Sequence, residues 1–135
     1  MTVIDASAIV DLLLPPDAAR RELLISELPE PAVPWLAPDI LMFEVFAVLR
    51  RHLRRGAVSS AAATRGLRRL PRLPIQLIPT ASLLGAAWAL RENFSAADSL
   101  YAALALRAAE PLVTTDLRLA RAAAAAGVEV RGPGC

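Results

Sequence analysis

Lysine is absent from this chain of 135 residues: all fifteen basic side chains are arginine. That removes every mechanism requiring a catalytic or phosphate-binding lysine. Among them are the P-loop nucleotide site, whose GxxxxGK(S/T) loop is missing, and the receiver domain, which needs a lysine beside its phospho-accepting aspartate. Phosphatases of the haloacid dehalogenase type need Asp-x-Asp at the first strand and a later lysine, whereas this chain has Asp5-Ala6-Ser7. No GxGxxG turn exists to hold a dinucleotide. One cysteine, Cys135, permits neither an intramolecular disulfide nor a cysteine-based metal site, and fits a reducing compartment. One histidine, His52, lies among arginines near a predicted helix end, where a surface role outweighs a metal role.

Long apolar spans are lacking too. The longest uncharged stretch, residues 73–90 (LPIQLIPTASLLGAAWAL), is interrupted by Pro74, Gln76, Pro79, Thr80 and Ser82, so it reads as a short strand and a helix start. The N-terminus has neither the basic flank nor the small-residue cleavage site of a secretory signal. A cytoplasmic protein without membrane attachment is expected. The length is that of one domain, 1–135, able to bury roughly two-thirds of the unfolded chain's surface. The hydrophobic fraction is 56% and the mean hydropathy +0.46, which points to apolar surface covered in a dimer or by a partner, with alanine-rich helices contributing to both figures.

Acids are missing from one long segment. Between Val45 and Arg91 there are nine arginines and no Asp or Glu, while the remaining sequence holds six arginines and thirteen acids. The net charge of +2 therefore conceals a basic surface beside an acidic one, or else an arginine-rich solvated helix pair.

What is present alternates between strands and helices. TVID (2–5) reads as a buried strand, Ser7 to Leu14 as a helix stopped by Pro15 and Pro16, and Asp17 to Leu28 as a second helix. A Pro-rich connection, 29–38, holds a short strand around Val33 to Leu36. Asp39 looks like the N-cap of a long helix ended by Gly56, and Ser59 or Ser60 like the cap of another reaching Leu70. IQLI (75–78) is a strand, followed by a helix from Ser82 to about Glu92 and a longer one starting at Ser95. LVTT (112–115) is the clearest strand; a helix from Asp116 to Gly127 and an edge strand VEV (128–130) complete the pattern. Such alternation predicts an α/β fold with right-handed crossovers and a central, mainly parallel sheet of four to five short strands covered on both faces.

Four acids stand out against this pattern. Functional groups in an open parallel sheet collect at the carboxyl ends of strands, which is where Asp5 and Asp116 fall. Glu44 sits inside LMFEVFAVL, and an unpaired buried carboxylate costs several kcal/mol, so it needs a cation, a partner or a raised pKa. Arg51, two turns on, is one candidate partner. Asp98 completes a capping-box spacing with Ser95, and Asp116 has an alternative role as a helix N-cap. Gathered in one pocket, the four would repel each other unless a hard divalent cation such as Mg²⁺ or Mn²⁺, which takes oxygen ligands, relieved them.

Four segments, VIDASAIVDLLL (3–14), APDILMFEVFAVLRR (37–51), SAADSLYAALALRAAE (95–110) and LVTTDLRLARAAAAAGVEV (112–130), together resemble the PIN-domain ribonucleases, specifically the VapC-type toxins of type II toxin–antitoxin systems. The resemblance implies a PIN-like three-layer α/β/α sandwich. It places the family's acidic, metal-binding and catalytic quartet on Asp5, Glu44, Asp98 and Asp116, and supporting hydroxyls on Ser7 and one of Thr114 or Thr115. One departure is Ala47, where the family often shows Asn. The implied activity is Mg²⁺- or Mn²⁺-dependent endonucleolytic hydrolysis of RNA by metal-activated water, giving a 5′-phosphate and a 3′-hydroxyl.

On that reading the acid-free segment brings RNA to an acidic centre that would otherwise repel it. Arg50, Arg51, Arg54 and Arg55 cluster at one helix end, and Arg65, Arg68, Arg69 and Arg72 follow helical spacing, with Pro71 interrupting before the last. The first cluster also suits a helix C-terminus. The resemblance implies that the same helical pair grips a VapB-type antitoxin and that the chain is a homodimer. Alternatives with the same sequence features are a catalytically silent PIN-like domain that binds RNA or protein, and a ribosome-associated or DNA-directed nuclease.

Overall fold

The computed structural model describes residues 1–27 and 33–132. Its centre is a five-stranded parallel sheet in the order β3-β2-β1-β4-β5, formed by β1 (Val3–Ile4), β2 (Trp35–Pro38), β3 (Ile75–Ile78), β4 (Leu112–Val113) and β5 (Val130–Arg131). Helices α1 (Ala6–Leu13) and α2 (Ala18–Glu27) connect β1 to β2, and α3 (Ile40–Arg54) and α4 (Ser60–Arg69) connect β2 to β3. Helices α5 (Leu84–Ala89) and α6 (Ala96–Ala108) lead to β4, and α7 (Leu117–Ala125) to β5. The first two connections step one way from β1 and the later ones the other way. Right-handed crossovers then put helices on opposite faces, and the order reverses beside β1.

The three central strands, β1, β2 and β4, are buried and wholly apolar, while the edge strands β3 and β5 are partly exposed. Val3, Ile4, Leu36, Leu112 and Val113 pack into one core with Ile9 and Leu13 of α1, Leu41, Val45 and Leu49 of α3, and Leu104 of α6. Val3 pairs with Leu36 on one side and Leu112 on the other, and Ile4 with Val113. This register leaves Asp5 and Thr114 as neighbours just past the carboxyl ends of β1 and β4.

Element bounds differ from the sequence expectation in a few places, each with a local cause. The first and fourth strands are two residues long, because Asp5 and Thr114 turn the chain out of the sheet. The second strand starts at Trp35, not Val33, and the last is Val130–Arg131. Asp39 is not a side-chain cap of α3: its backbone is helical and its carboxylate instead accepts from the Thr80 amide at 3.1 Å and from the Thr80 hydroxyl. The helix expected from Ser82 to Glu92 is a 3-10 turn over Thr80–Ser82 and the six-residue α5. Ser59, rather than Ser60, caps α4, accepting from the Ala62 amide at 3.1 Å. Gly56, with φ +72°, ends α3 as expected. Leu28, the connection over 29–32 and Cys135 lie outside the described residues.

Two glycines make opposite demands. Gly132, at φ +141°, lies so close to β4 that a Cβ there would overlap the Thr114 carbonyl oxygen. Gly66 is buried inside α4, and a Cβ there would meet only Leu13 and Leu49, each at an ordinary 3.8 Å. Gly66→Ala is expected to stabilise the protein by about 1 kcal/mol through helix propensity. Gly132→Ala is expected to destabilise it by about 1–3 kcal/mol. Denaturant midpoints check both; equal shifts of the same sign would contradict the packing described.

Candidate active site

Asp5 is where strand chemistry and helix chemistry meet. It leaves β1, adopts the extended backbone of an N-cap, and accepts the Ala8 amide at 3.0 Å, which starts α1. Its side chain is 4% exposed, so the remaining oxygen valence must be met by protein. The Ser7 hydroxyl reaches both carboxylate oxygens at 2.8 and 2.9 Å, and the Thr114 hydroxyl reaches Oδ2 at 2.7 Å. These hydroxyls are themselves aimed by main-chain donors. The Thr115 amide donates to Ser7 Oγ at 3.1 Å and the Asp116 amide to Thr114 Oγ1 at 3.0 Å, leaving each hydroxyl hydrogen free for Asp5. Of the two threonines, Thr114 supplies the hydroxyl; Thr115 contributes its amide and lines the cleft. Burial pushes the Asp5 carboxyl from 3.8 up to about 7, the Asp116 charge adding to this and the Ala8, Thr114 and Ser7 bonds opposing it.

The other three acids come from α3, α6 and α7. Glu44, half-buried, has the Tyr101 hydroxyl as its partner at 2.7 Å rather than Arg51. Arg51 extends into the same cleft, and among the described residues it forms no ion pair with Glu44. Burial raises the Glu44 pKa, with the Asp98 charge adding and the Tyr101 bond opposing. Tyr101 is itself raised by burial and by the acids around it, so it remains a donor. In α6 the capping role falls to Ser95, whose hydroxyl accepts from the Asp98 amide at 3.2 Å. The Asp98 side chain therefore lines the cleft, its pKa raised by burial and by Asp116, with Ser95 and Arg118 opposing. Asp116 is both things foreseen for it: it caps α7, accepting from the Arg118 and Leu119 amides at 2.9 and 3.2 Å, and it lines the cleft.

The cleft that these side chains share has a volume of about 300 Å³. Asp5, Glu44, Asp98 and Asp116 all line it, together with Ser7 and Tyr101. Among the described residues no three acids or histidines close around a single point as a preformed metal cage. The donor set is carboxylate oxygen, crowded enough that the acids raise one another's pKa, and open on one side. That combination fits a hydrated hard cation such as Mg²⁺ or Mn²⁺, which keeps several waters, and does not fit a closed zinc-type centre.

Three polar lining residues were not among the expected site residues. Asp11, two turns along α1 from Asp5, faces the cleft but is paired with Arg20 at 3.1 Å. Tyr101 was signalled only by being the sole tyrosine, three residues after Asp98 on the same helical face. His52 is partly exposed and lines the cleft beside Arg51, eight residues, little more than two turns, beyond Glu44. The remaining arginines named from the sequence, Arg50, Arg54, Arg55, Arg65, Arg68 and Arg69, are exposed on α3 and α4. Arg72 is exposed in the turn after α4, whose 3-10 geometry takes it off the helical row.

Comparison with known proteins places this geometry. The PIN domain family model matches residues 2–125. Ribonuclease VapC3 of Mycobacterium tuberculosis is 38% identical over 120 residues, covering 89% of this chain and 85% of the relative. Ribonuclease VapC9 of the same species is 35% identical over 119 residues, 88% of each chain. The crystal structure of M. tuberculosis VapC20, described as a Sarcin-Ricin loop cleaving toxin, superposes with a TM-score of 0.70 at 20% identity, covering 97% of this chain and 99% of that one.

The buried acids have a measurable consequence without metal. A carboxyl whose folded pKa exceeds its unfolded value keeps a proton in the folded state that the unfolded chain has lost. Its contribution to stability is full below about pH 4 and is lost as pH rises towards 7. In EDTA, the wild type is therefore expected to lose stability between about pH 4 and 7. Asp5→Asn, which keeps the Ala8 cap but cannot ionise, should show a shallower slope and be more stable than wild type at pH 8, by about 2–4 kcal/mol. Urea midpoints across the range test this; parallel slopes would show that Asp5 does not titrate there.

Proposed function

This chain belongs to the PIN-domain family, within it to the VapC ribonucleases, and we propose that it is the toxin of a toxin–antitoxin pair, an endoribonuclease dependent on Mg²⁺ or Mn²⁺. The observation that carries the reading is the convergence of Asp5, Glu44, Asp98 and Asp116 on one cleft at the point where the strand order reverses. In the proposed mechanism those four side chains hold the cation. The cation, when bound, would neutralise the acids and supply Lewis-acid activation of water for attack on a phosphodiester.

The chain's own residues supply the rest. Ser7 and Thr114 hold Asp5 by hydrogen bonds to its two oxygens, and the amides of Thr115 and Asp116 hold those hydroxyls in turn. Tyr101 fixes the Glu44 carboxylate. Arg51 at the cleft and the exposed arginines of α3 and α4 draw the phosphate backbone towards a centre that would repel it. The expected products carry a 5′-phosphate and a 3′-hydroxyl.

The proposed partners are RNA, a VapB-type antitoxin and a second copy of the chain, met in the cytoplasm. Phe43 at 71% exposure and Trp88 at 68% support a covered apolar face. Among the described residues no helix is long and apolar enough to cross a membrane.

Asp5→Asn and Asp98→Asn are expected to remain folded and to lose at least 100-fold in RNA cleavage, an order of magnitude set by removing a metal ligand. EDTA should abolish cleavage by the wild type, and added Mg²⁺ or Mn²⁺ should restore it. Unchanged cleavage by either variant in a nuclease-free preparation would overturn the site. Expression of the chain alone should arrest growth, and co-expression of a small antitoxin encoded beside it should relieve the arrest. Harmless expression with intact RNA would favour a silent binding domain.

A further inference from the structure

The acid-lined cleft does not end at Asp98. Beyond that carboxylate lies a second cavity of about 240 Å³, lined by Asn93, Phe94, Ser95 and Arg118 as well as by Asp98 itself. Asp98 belongs to both spaces, so they meet at one of the proposed metal ligands. Arg118 lies close enough to favour the charged form of Asp98, yet among the described residues its guanidinium forms no ion pair. The second acid lining the cavity, Glu92, lies 3.7 Å from Arg91. Phe94 is partly buried, packed against the core and lines the cavity, while Asn93 is exposed, its amide able both to donate and to accept.

A guanidinium, an aromatic ring and an exposed amide in one small space are the groups that recognise a nucleotide of single-stranded RNA. The cation binds phosphate, the ring stacks on a base, and the amide pairs with a base edge. The geometry points to a nucleotide-reading subsite here: Arg118 takes a phosphate, and Phe94 and Asn93 read the base, of the residue flanking the bond cut at the acids. The inference rests on the ribonuclease reading and extends it to specificity. Arg51 lines the acid cleft and not this second cavity, so the two spaces offer a bound strand separate cations on either side of their shared Asp98.

Two measurements test it. In the first, binding of a fluorescein-labelled single-stranded RNA 20-mer of mixed sequence is followed by anisotropy on an Asp5→Asn background, in Mg²⁺ and at several salt concentrations. Adding Arg118→Gln should weaken binding about five- to ten-fold and reduce the salt slope by about one, and Arg118→Lys should restore the slope. In the second, 5′ ends of cellular RNA are mapped after incubation with wild type or Asn93→Ala. The variant should lose base preference at one position flanking the cut and keep it elsewhere. Binding and salt slope unaltered by Arg118→Gln, or a base preference unaltered by Asn93→Ala, would overturn the subsite. A wild type that cuts no RNA would overturn the ribonuclease reading instead, and the anisotropy measurement would still decide the role of Arg118.

Discussion

The structure depends on keeping a carboxylate buried at the end of its first strand. Removing Asp5 from water without partners would cost several kcal/mol, and the chain offsets this with a helix cap, two hydroxyls and the amides that orient those hydroxyls. The donors come from α1 and from the end of β4, more than a hundred residues later. Satisfying Asp5 therefore requires β1 and β4 to be parallel neighbours in the register observed, which ties the sheet's central pairing to the chemistry of its rim.

The remaining acids follow from that arrangement. Once β1 and β4 are adjacent, the turn after β4 brings Asp116 beside Asp5, and α6, packed on the sheet, presents Asp98 and Tyr101 from one face. Tyr101 then reaches across to Glu44 on α3. Burial, and to a lesser degree the neighbouring charges, raises the pKa of Asp5, Glu44 and Asp98. Such a cluster is unstable as four free anions and is relieved either by protons or by a hard cation, which couples stability, pH and metal binding at one place.

Charge is segregated around this centre. Arginines of α3 and α4 are exposed, Arg51 and His52 line the cleft, and Arg118 lines the second cavity that shares Asp98 with it. A polyanion attracted to the basic surface would meet the acids only where these cations flank them. Helix α3 carries both functions, with Glu44 in the cleft and arginines towards its C-terminus, whereas α4 carries arginines and none of the four acids.

Much of this was legible in the sequence. Apolar runs ending in Asp5 and before Asp116, the helix signals at Ser59 and Ser95, and the polar intrusion of Glu44 into LMFEVFAVL all identified elements and candidate acids, because each is a local departure from a strong periodicity. The missing lysine excluded rival phosphate chemistries without any structure. Partners were another matter. That Glu44 bonds to Tyr101 and not to Arg51, that Asp39 serves Thr80 and not its own helix, that His52 lines the cleft and that Asp11 is taken by Arg20 are outcomes of packing between different elements. Sequence spacing reports which residues share a face of one element; only the tertiary structure decides what that face meets, since hydrogen bonds and ion pairs form across distances of a few ångströms set by the sheet order.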